Sequence, residues 1–238
     1  MADSKKVAAV IGVGAGLGNA LAQRFAREYS VALVARGAEK LDGFAREIEK
    51  SGGRALPVSA DVSKAADIEA AFAKIRAELG DVDVLLYNAA MRPFGRLMET
   101  KPSTFENTWR VTTFGAFLCA QQVVPAMLKK GAGAIIITGA TAGIKPFPTS
   151  AAFGPAKFAV RGLAQVMARD LQPQGIHVAY INVDGAIDMP AIRERFPQIK
   201  DDQMLKPSAI AETFWHVAHQ DRSAWSHDVD VRPFKENW

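Results

Sequence analysis

Short apolar runs alternate along the chain with longer stretches in which apolar residues recur at helical spacing. The runs predict strands at Val7–Ile11, Val31–Ala35, Ala55–Ala60, Val82–Tyr87, Ala134–Thr138 and Ile176–Asn182, with a last strand near Val229–Val231. The stretches between them predict helices at Gly18–Glu28, Glu39–Lys50, Ser103–Lys130, Ala151–Leu171 and Ala209–His219, and one more that runs from a Ser63 cap through Leu79. The first five strands are mostly apolar throughout, which is typical of a parallel sheet covered by helices on both faces. The pattern therefore predicts an α/β fold with a doubly wound parallel sheet of about seven strands.

Composition narrows the classes of function. The chain has 238 residues and a net charge of only +4, with basic residues spread along its length, so no nucleic-acid partner is expected. No apolar run approaches the roughly 20 residues of a membrane span, and the N-terminus lacks the features of a signal peptide. Cys119 is the only cysteine and lies in an apolar stretch, so no internal disulfide can form and a reducing, cytoplasmic location is expected.

A glycine-rich loop joins the first strand to the first helix. It reads Gly12-Val13-Gly14-Ala15-Gly16-Leu17-Gly18. A helix N-terminus at the carboxyl end of a parallel strand offers unpaired N–H groups and a positive dipole to phosphates, and glycines let the phosphates come close. The loop predicts a dinucleotide site. Because no linker or internal repeat is present, residues 1–238 are predicted to form a single dinucleotide-binding domain.

The spacing Gly12-x-x-x-Gly16-x-Gly18 resembles the glycine motif of the short-chain dehydrogenase/reductase family. Further similarities follow along the chain, at Asp61-Val62 (adenine contact), Tyr87-Asn88-Ala89-Ala90 (the Asn-Asn-Ala-Gly motif), Lys157 (catalytic lysine) and Asn182-Val183-Asp184-Gly185 (the turn over the nicotinamide). The resemblance implies a Rossmann-type fold and an NAD(P)-dependent oxidoreductase. It implies a cofactor site made of Gly12, Gly14, Ala15, Gly16, Leu17, Gly18, Arg36, Asp61, Val62, Asn88, Ala89, Lys157, Gly185 and Ile187.

The end of the second strand indicates which dinucleotide is bound. An acid there would accept hydrogen bonds from the ribose 2′-OH of NAD, but the strand ends at Ala35 and Arg36 follows. A guanidinium can hold a 2′-phosphate through paired charge-assisted bonds, and Lys40 is placed to assist it. NADP(H) is therefore predicted in preference to NAD(H). The alternative is that Arg36 is a solvated residue stacking on the adenine.

The catalytic groups that the resemblance implies are mostly replaced. Phe153 stands at the tyrosine position, Ala140 at the serine position and Thr112 at the asparagine position, whereas Lys157 is retained. A positioned general acid contributes roughly 10²–10⁴ in rate, so reduction of ordinary ketones is expected to be slow. Thr141, beside Ala140, is a candidate hydrogen-bond donor to substrate or a structural threonine.

Two acids and a tyrosine are further candidates. Asp184 replaces the proline of the family turn and Asp188 follows it. Each is interpreted either as a proton donor or partner for a cationic substrate, or as a turn or cap residue. The hydroxyl of Tyr87 is a third group that could face the cleft. With Lys157 and Thr141, Asp184 is taken as a catalytic residue.

The leading hypothesis is an NADP(H)-dependent oxidoreductase acting on a small organic substrate, such as an imine or activated C=C. The alternative is a catalytically degenerate NADP(H)-binding protein that acts as a sensor or partner subunit. Residues 184–207 carry no motif and are predicted to form the substrate loop. His216 and His219 lack a third ligand, so no metal is expected. The family resemblance implies a homodimer or homotetramer, with the two longest helices, Ser103–Lys130 and Ala151–Leu171, as contact faces.

Overall fold

Seven parallel strands form the central sheet in the computed structural model, which describes residues 5–235. The strands of the chain are β1 Val7–Ile11, β2 Ser30–Ala35, β3 Arg54–Ser59, β4 Val82–Tyr87, β5 Gly133–Thr138, β6 Ile176–Val183, β7 Ala186–Ile187, β8 Met204–Leu205 and β9 Asp228–Val231. The sheet order is β3-β2-β1-β4-β5-β6-β9, and β7 pairs with β8 in a separate two-stranded ribbon. The predicted seven-stranded parallel sheet is confirmed.

Helices cover both faces of the sheet. They are α1 Leu17–Phe25, α2 Ala38–Lys50, α3 Ala65–Glu78, α4 Pro102–Trp109, α5 Gly115–Lys130, α6 Phe153–Leu171, α7 Pro190–Arg195 and α8 Pro207–Ala218. One buried cluster lies between the sheet and helices α3, α5 and α6, and a second lies under α1, α2 and α8. Every residue of β1 is buried because both clusters press on it. The doubly wound architecture is therefore confirmed.

The strand order places a crevice at one edge of the sheet. From β1 the chain winds outward through β2 and β3, and it then returns to add β4 on the other side of β1. The loops after β1 and β4 consequently diverge at the carboxyl ends of these two strands. In open α/β sheets a ligand binds at this switch point.

The predicted helix Ser103–Lys130 is interrupted. Residues Arg110–Phe114 form a π-helical turn between α4 and α5. The carbonyl of Val111 in this turn accepts a hydrogen bond from the hydroxyl of Tyr87. Next to it, a Cβ at Gly115 would lie 2.8 Å from the carbonyl oxygen of Val62. The helix thus passes so close to the sheet that only glycine fits there, and a π turn of this kind is often found beside a functional site.

Ser63 does not cap α3 as predicted. Lys64 occupies the N-cap position without a side-chain cap bond. The backbone N–H and the hydroxyl of Ser63 instead donate to Oδ1 of Asp61, at 3.0 Å and 2.8 Å. Because the hydroxyl is held by the preceding carboxylate, it is not available to the helix.

One stretch differs from the expectation that no apolar run approaches the length of a membrane span. Residues 102–130 include an 18-residue window with mean hydropathy 1.4, so by length and composition alone this helix could cross a membrane. In this fold 44% of that window is buried inside the protein. A core helix packed on a sheet has the same composition, so the observation is weak evidence for a membrane.

Candidate active site

Two cavities adjoin at the carboxyl ends of β1, β4, β5 and β6. The first cavity has a volume of about 420 Å³ and the second about 430 Å³. They share the lining residues Asn88, Ala90, Ile187 and Met189, so they open into each other. The first cavity is lined by Gly12, Gly14, Ala15, Gly16, Leu17, Gly18, Arg36, Asp61, Val62, Asn88, Ala89 and Ile187, and the second by Lys157 and Gly185. The structure therefore brings together all the residues that the sequence predicts to contact the cofactor.

Glycine is required at different positions of the loop for different physical reasons. Gly12 has a φ of +91°, and a Cβ there would lie 2.5 Å from the backbone nitrogen of Ala89. A Cβ at Gly18 would lie 2.8 Å from Cα of Val13. Both glycines are required by the packing of the chain itself, whereas a Cβ at Gly14 would meet nothing within 4 Å. The expectation that phosphate access explains every glycine is therefore too broad.

The loop presents backbone amides to the first cavity. Asn88 holds the loop in place, because its side-chain amide donates to the Gly12 carbonyl at 3.0 Å. Helix α1 begins at Leu17 with Gly16 as N-cap and no side-chain cap bond. The first N–H groups of α1 thus lack a side-chain acceptor at an open cavity, which fits a diphosphate.

Arg36 lines the end of the first cavity next to β2, and Lys40 lies in an adjoining recess. Arg36 is exposed directly after β2, and it lines a shallow recess together with Glu39 and Lys40. Arg36 forms no ion pair within residues 5–235. Burial acts to raise the pKa of Asp61, but the two hydrogen bonds from Ser63 and the charges of Lys64 and Arg36 together hold that pKa below its ordinary value. Asp61 is therefore an anion held by its own loop, and its charge also interacts with the guanidinium of Arg36, which forms no ion pair within hydrogen-bond range in the described chain.

Lys157 is the central polar group of the second cavity. It is 3% exposed, and its Nζ donates to the Thr138 carbonyl at 2.7 Å. Burial without a partner anion lowers the pKa of the Lys157 ammonium to about 7. The side chain can therefore hold or release a proton near neutral pH, which is the property required of a general acid or base.

Phe153, at the start of α6, packs beside Lys157. The ring is 5% exposed and its centroid lies 5.8 Å from Nζ of Lys157. Ala140 also lines the cavity and has no hydroxyl, while the Thr141 hydroxyl there forms no side-chain hydrogen bond in the described chain. Thr112 is 1% exposed and lines neither cavity. The side chain at the family's asparagine position thus does not reach the site.

The two aspartates predicted to face the substrate do not line either cavity. Asp184 is fully buried, and its carboxylate lies 3.7 Å from both Lys145 Nζ and Arg232 Nε. Asp188 forms a bidentate pair with Arg193, at 2.6 Å and 2.9 Å. Val183 and Gly185 line the second cavity, whereas Asp184 between them is buried and is not part of the lining, so the structure does not support a contact between Asp184 and substrate. Both aspartates are thus ion-pair residues, and neither caps a helix.

The Tyr87 hydroxyl does not face the cleft either. Tyr87 is 2% exposed and its hydroxyl donates to the Val111 carbonyl in the π turn. Burial and the nearby thiol of Cys119 hold the pKa of Tyr87 well above its ordinary value, so this group is not an acid near neutral pH. Its role is to fix the π turn against β4.

Sequence reasoning missed several residues of the second cavity. Arg92 lies in the loop after β4, for which the sequence predicted no role in substrate binding. The walls are also formed by Phe147, Ile192, Phe196 and Ile199. The last three belong to the stretch 184–207 that was predicted as a substrate loop. No motif marks these residues, because loops far apart in the chain meet only in the folded protein.

Comparison with known proteins agrees with this geometry. Glycine betaine reductase ATRR of Emericella nidulans is 27% identical over 242 residues, which covers 98% of this chain but only 19% of that protein. 2-(S)-hydroxypropyl-CoM dehydrogenase 3 of Xanthobacter autotrophicus is 33% identical over 174 residues, or 73% of this chain and 68% of that one. A crystal structure of a metagenomic short-chain oxidoreductase in complex with NADP has a TM-score of 0.85 and 29% identity, covering 97% of this chain and 98% of that one.

The family is shown by a match to a family model. The model described as short chain dehydrogenase matches residues 6–198. This range contains the glycine loop, Asn88 and Lys157, which carried the resemblance in the sequence. The chain belongs to the short-chain dehydrogenase family, whose members are oxidoreductases that use nicotinamide cofactors.

Proposed function

We propose that the whole chain is one NADP(H)-dependent oxidoreductase domain that transfers a hydride to or from a small organic substrate. The observation that carries the proposal is the direct connection between the two cavities through Asn88 and Ile187. A dinucleotide with its diphosphate at the glycine loop would extend into the second cavity beside Lys157. When bound, the nicotinamide would supply or accept the hydride.

The preference for NADP(H) rests on charge at the adenosine end. β2 ends without an acid, and Arg36 and Lys40 line the recess beside the first cavity. An arginine fork forms paired charge-assisted bonds with a phosphate, whereas a ribose hydroxyl offers it much less. A 2′-phosphate in this recess would meet two cations, and the competing carboxylates are Glu39 in the recess and Asp61 near Arg36.

Lys157 is the residue that we propose as the proton source. Because Phe153 and Ala140 carry no hydroxyl, the Lys157 ammonium is the strongest acid among the residues lining the second cavity. In the reductive direction it would give a proton to the substrate atom that becomes basic as the hydride arrives, and regain one from solvent. A polarised C=C, which delocalises the negative charge as the hydride arrives, fits this set better than a simple ketone. A neutral imine also fits better, because its nitrogen is basic enough to take the Lys157 proton before the hydride is transferred. A cationic iminium fits poorly, because the lining contains Lys157 and Arg92 but no carboxylate.

A cofactor-binding protein without turnover is the second candidate. The observation that favours it is the position of Phe153, whose buried ring occupies the place of the family's acid. Both candidates require NADP(H) binding. Only the first requires NADPH to be consumed with some carbonyl, imine or enone substrate.

A homodimer or homotetramer is also proposed, with α4, α5 and α6 as contact faces. These helices expose large apolar side chains outward, namely Phe105, Trp109, Phe117, Phe158 and Val166. Contiguous apolar surface of this kind commonly marks a protein interface.

Fluorescence titration with NADPH and NADH tests the cofactor assignment. We expect NADPH to bind more tightly, and Arg36→Gln to weaken NADPH by about tenfold to a hundredfold while leaving NADH nearly unchanged. Arg46→Gln, an exposed charge on α2 away from the cavities, is the matched control. Equal affinities for NADPH and NADH in the wild type would refute the preference, and failure of both to bind would refute the proposed function. A panel of ketones, imines and enones then separates the enzyme from the non-enzymatic alternative.

A further inference from the structure

Two arginines from distant parts of the chain lie near one aromatic ring beside the second cavity. Arg92 lies in the loop after β4 and lines the cavity, and Arg195 is the last residue of α7. Their guanidinium carbons lie 5.2 Å and 3.9 Å from the centroid of the same ring, that of Phe94. Phe94 therefore gathers two positive charges at one edge of the cavity.

Neither guanidinium has a carboxylate partner in the described chain. Arg193, by contrast, lies on the same short helix as Arg195 and forms ion pairs with both Asp188 and Asp201. The nearest acid along the Arg92 loop, Glu99, is occupied by the backbone N–H of Arg96. Burial and the charge of Arg195 lower the pKa of the Arg92 guanidinium from its ordinary value. Two like charges held close without a counterion are unfavourable, and an anion between them would relieve the repulsion.

Apart from its few polar side chains, the second cavity is lined by apolar residues. Its walls include Phe147, Ile192, Phe196 and Ile199, and no aspartate or glutamate lines it among residues 5–235. A pocket of this kind accepts an apolar body and fixes its orientation through a small number of polar groups. Arginine, with its planar fork, is suited to carboxylate, sulfonate and phosphate groups.

We infer that the second cavity selects a substrate with an apolar body and one anionic group, a carboxylate or similar oxyanion, held by Arg92 with Arg195. The Arg92 guanidinium carbon lies 5.9 Å and Lys157 Nζ 5.8 Å from the Phe153 ring centroid. Because both cations lie near one ring, one small molecule can place its anionic group at Arg92 and its reacting atom at Lys157. This substrate class rests on the proposed function, since it places the reacting atom beside the nicotinamide.

The test uses two probes of one shape and different charge. 4-Phenylbutanoate and its uncharged amide are titrated calorimetrically into the full-length protein, with and without saturating NADPH. We expect the carboxylate to bind at least about tenfold more tightly than the amide in the wild type, as for a charge-assisted bond. Arg92→Gln and Arg195→Gln should each reduce that preference, and Arg46→Gln should retain it.

The possible results are distinct. Equal binding of the two probes, no binding of either at millimolar concentration, or a carboxylate preference that survives in Arg92→Gln would each overturn the inference. Normal NADPH binding together with any of these results would overturn the anionic substrate alone. Loss of NADPH binding in the wild type would instead overturn the proposed function, while the titrations without cofactor still report the charge preference.

Discussion

Replacing Lys157 with methionine is expected to make the cofactor-free protein more stable at neutral and acid pH. The side chain is 3% exposed, and within residues 5–235 its ammonium donates one hydrogen bond, to the Thr138 carbonyl. Its ammonium is thus buried with one neutral acceptor and no anion. Methionine has similar length and no charge, so it removes the desolvation cost at the loss of one hydrogen bond.

The pH dependence follows from the two protonation equilibria of Lys157. Burial lowers the pKa from 10.5 to about 7 in the folded protein, while the unfolded chain keeps the ordinary value. Between these values the unfolded chain holds more protons, so the free energy of unfolding of the wild type rises with pH. The destabilisation is fully present below about pH 7 and disappears above the unfolded pKa. At 1.36 kcal/mol per unit, the wild type should gain about 3 kcal/mol relative to Lys157→Met between about pH 6.5 and pH 9.5.

Urea unfolding of both proteins across this pH range measures the difference. The lost hydrogen bond to Thr138 changes the free energy of unfolding of the variant by about 1 kcal/mol at every pH. The test therefore depends on how the difference between the two proteins changes with pH, and not on its absolute size. Lys129→Met, at an exposed position on α5, is the control and should show no such change. If the difference in the free energy of unfolding between wild type and Lys157→Met varies by less than about 1 kcal/mol over this range, a Lys157 pKa of about 7 in the folded protein is contradicted.

Two further substitutions test the catalytic and oligomeric proposals. Phe153→Tyr places a hydroxyl beside Lys157, and initial rates of NADPH consumption with a simple ketone should rise at least about tenfold, below the full 10²–10⁴ of a complete acid because Ala140 remains. An unchanged rate would show that the missing tyrosine hydroxyl does not limit this reaction. Val166→Glu puts a charge on the most exposed apolar position of α6, 66% exposed, and should lower the mass measured by light scattering, whereas Ala209→Glu on α8 should not. An identical mass for wild type and Val166→Glu would exclude this face.

The pattern of residues close together in the sequence was sufficient to predict the fold and the residues that line the first cavity. The strands Val7–Ile11 and Val82–Tyr87 were predicted at their observed bounds. The first is a continuous apolar run and the second is apolar except for Asp83, and both are bounded by polar or glycine residues, so the change from apolar to polar residues marks their ends. The glycine loop follows one of these strands directly, and its position at the sheet edge is a consequence of chain connectivity. The family assignment rests on the same local motifs, and it is confirmed.

Side-chain direction was accessible from the sequence but was misjudged. Successive residues of an extended segment point to opposite faces. Val183 and Gly185 line the second cavity, so Asp184 between them points away from it. The same alternation turns Tyr87 into the core while Asn88 faces the cleft. Applied at the ends of β4 and β6, this rule predicts both orientations.

The sequence by itself determined the βα order, the glycine loop, the basic end of β2 and the absence of a hydroxyl at Phe153, because each of these depends on residues close together in the chain. Only the tertiary structure decided that Lys157 is buried without an anion and that Arg92 and Arg195 meet at one ring. These two features depend on desolvation and on contacts between loops far apart in the chain. Neither feature produces a periodicity or a motif in the sequence, so both become visible only in the folded protein, where the sheet brings the loops together.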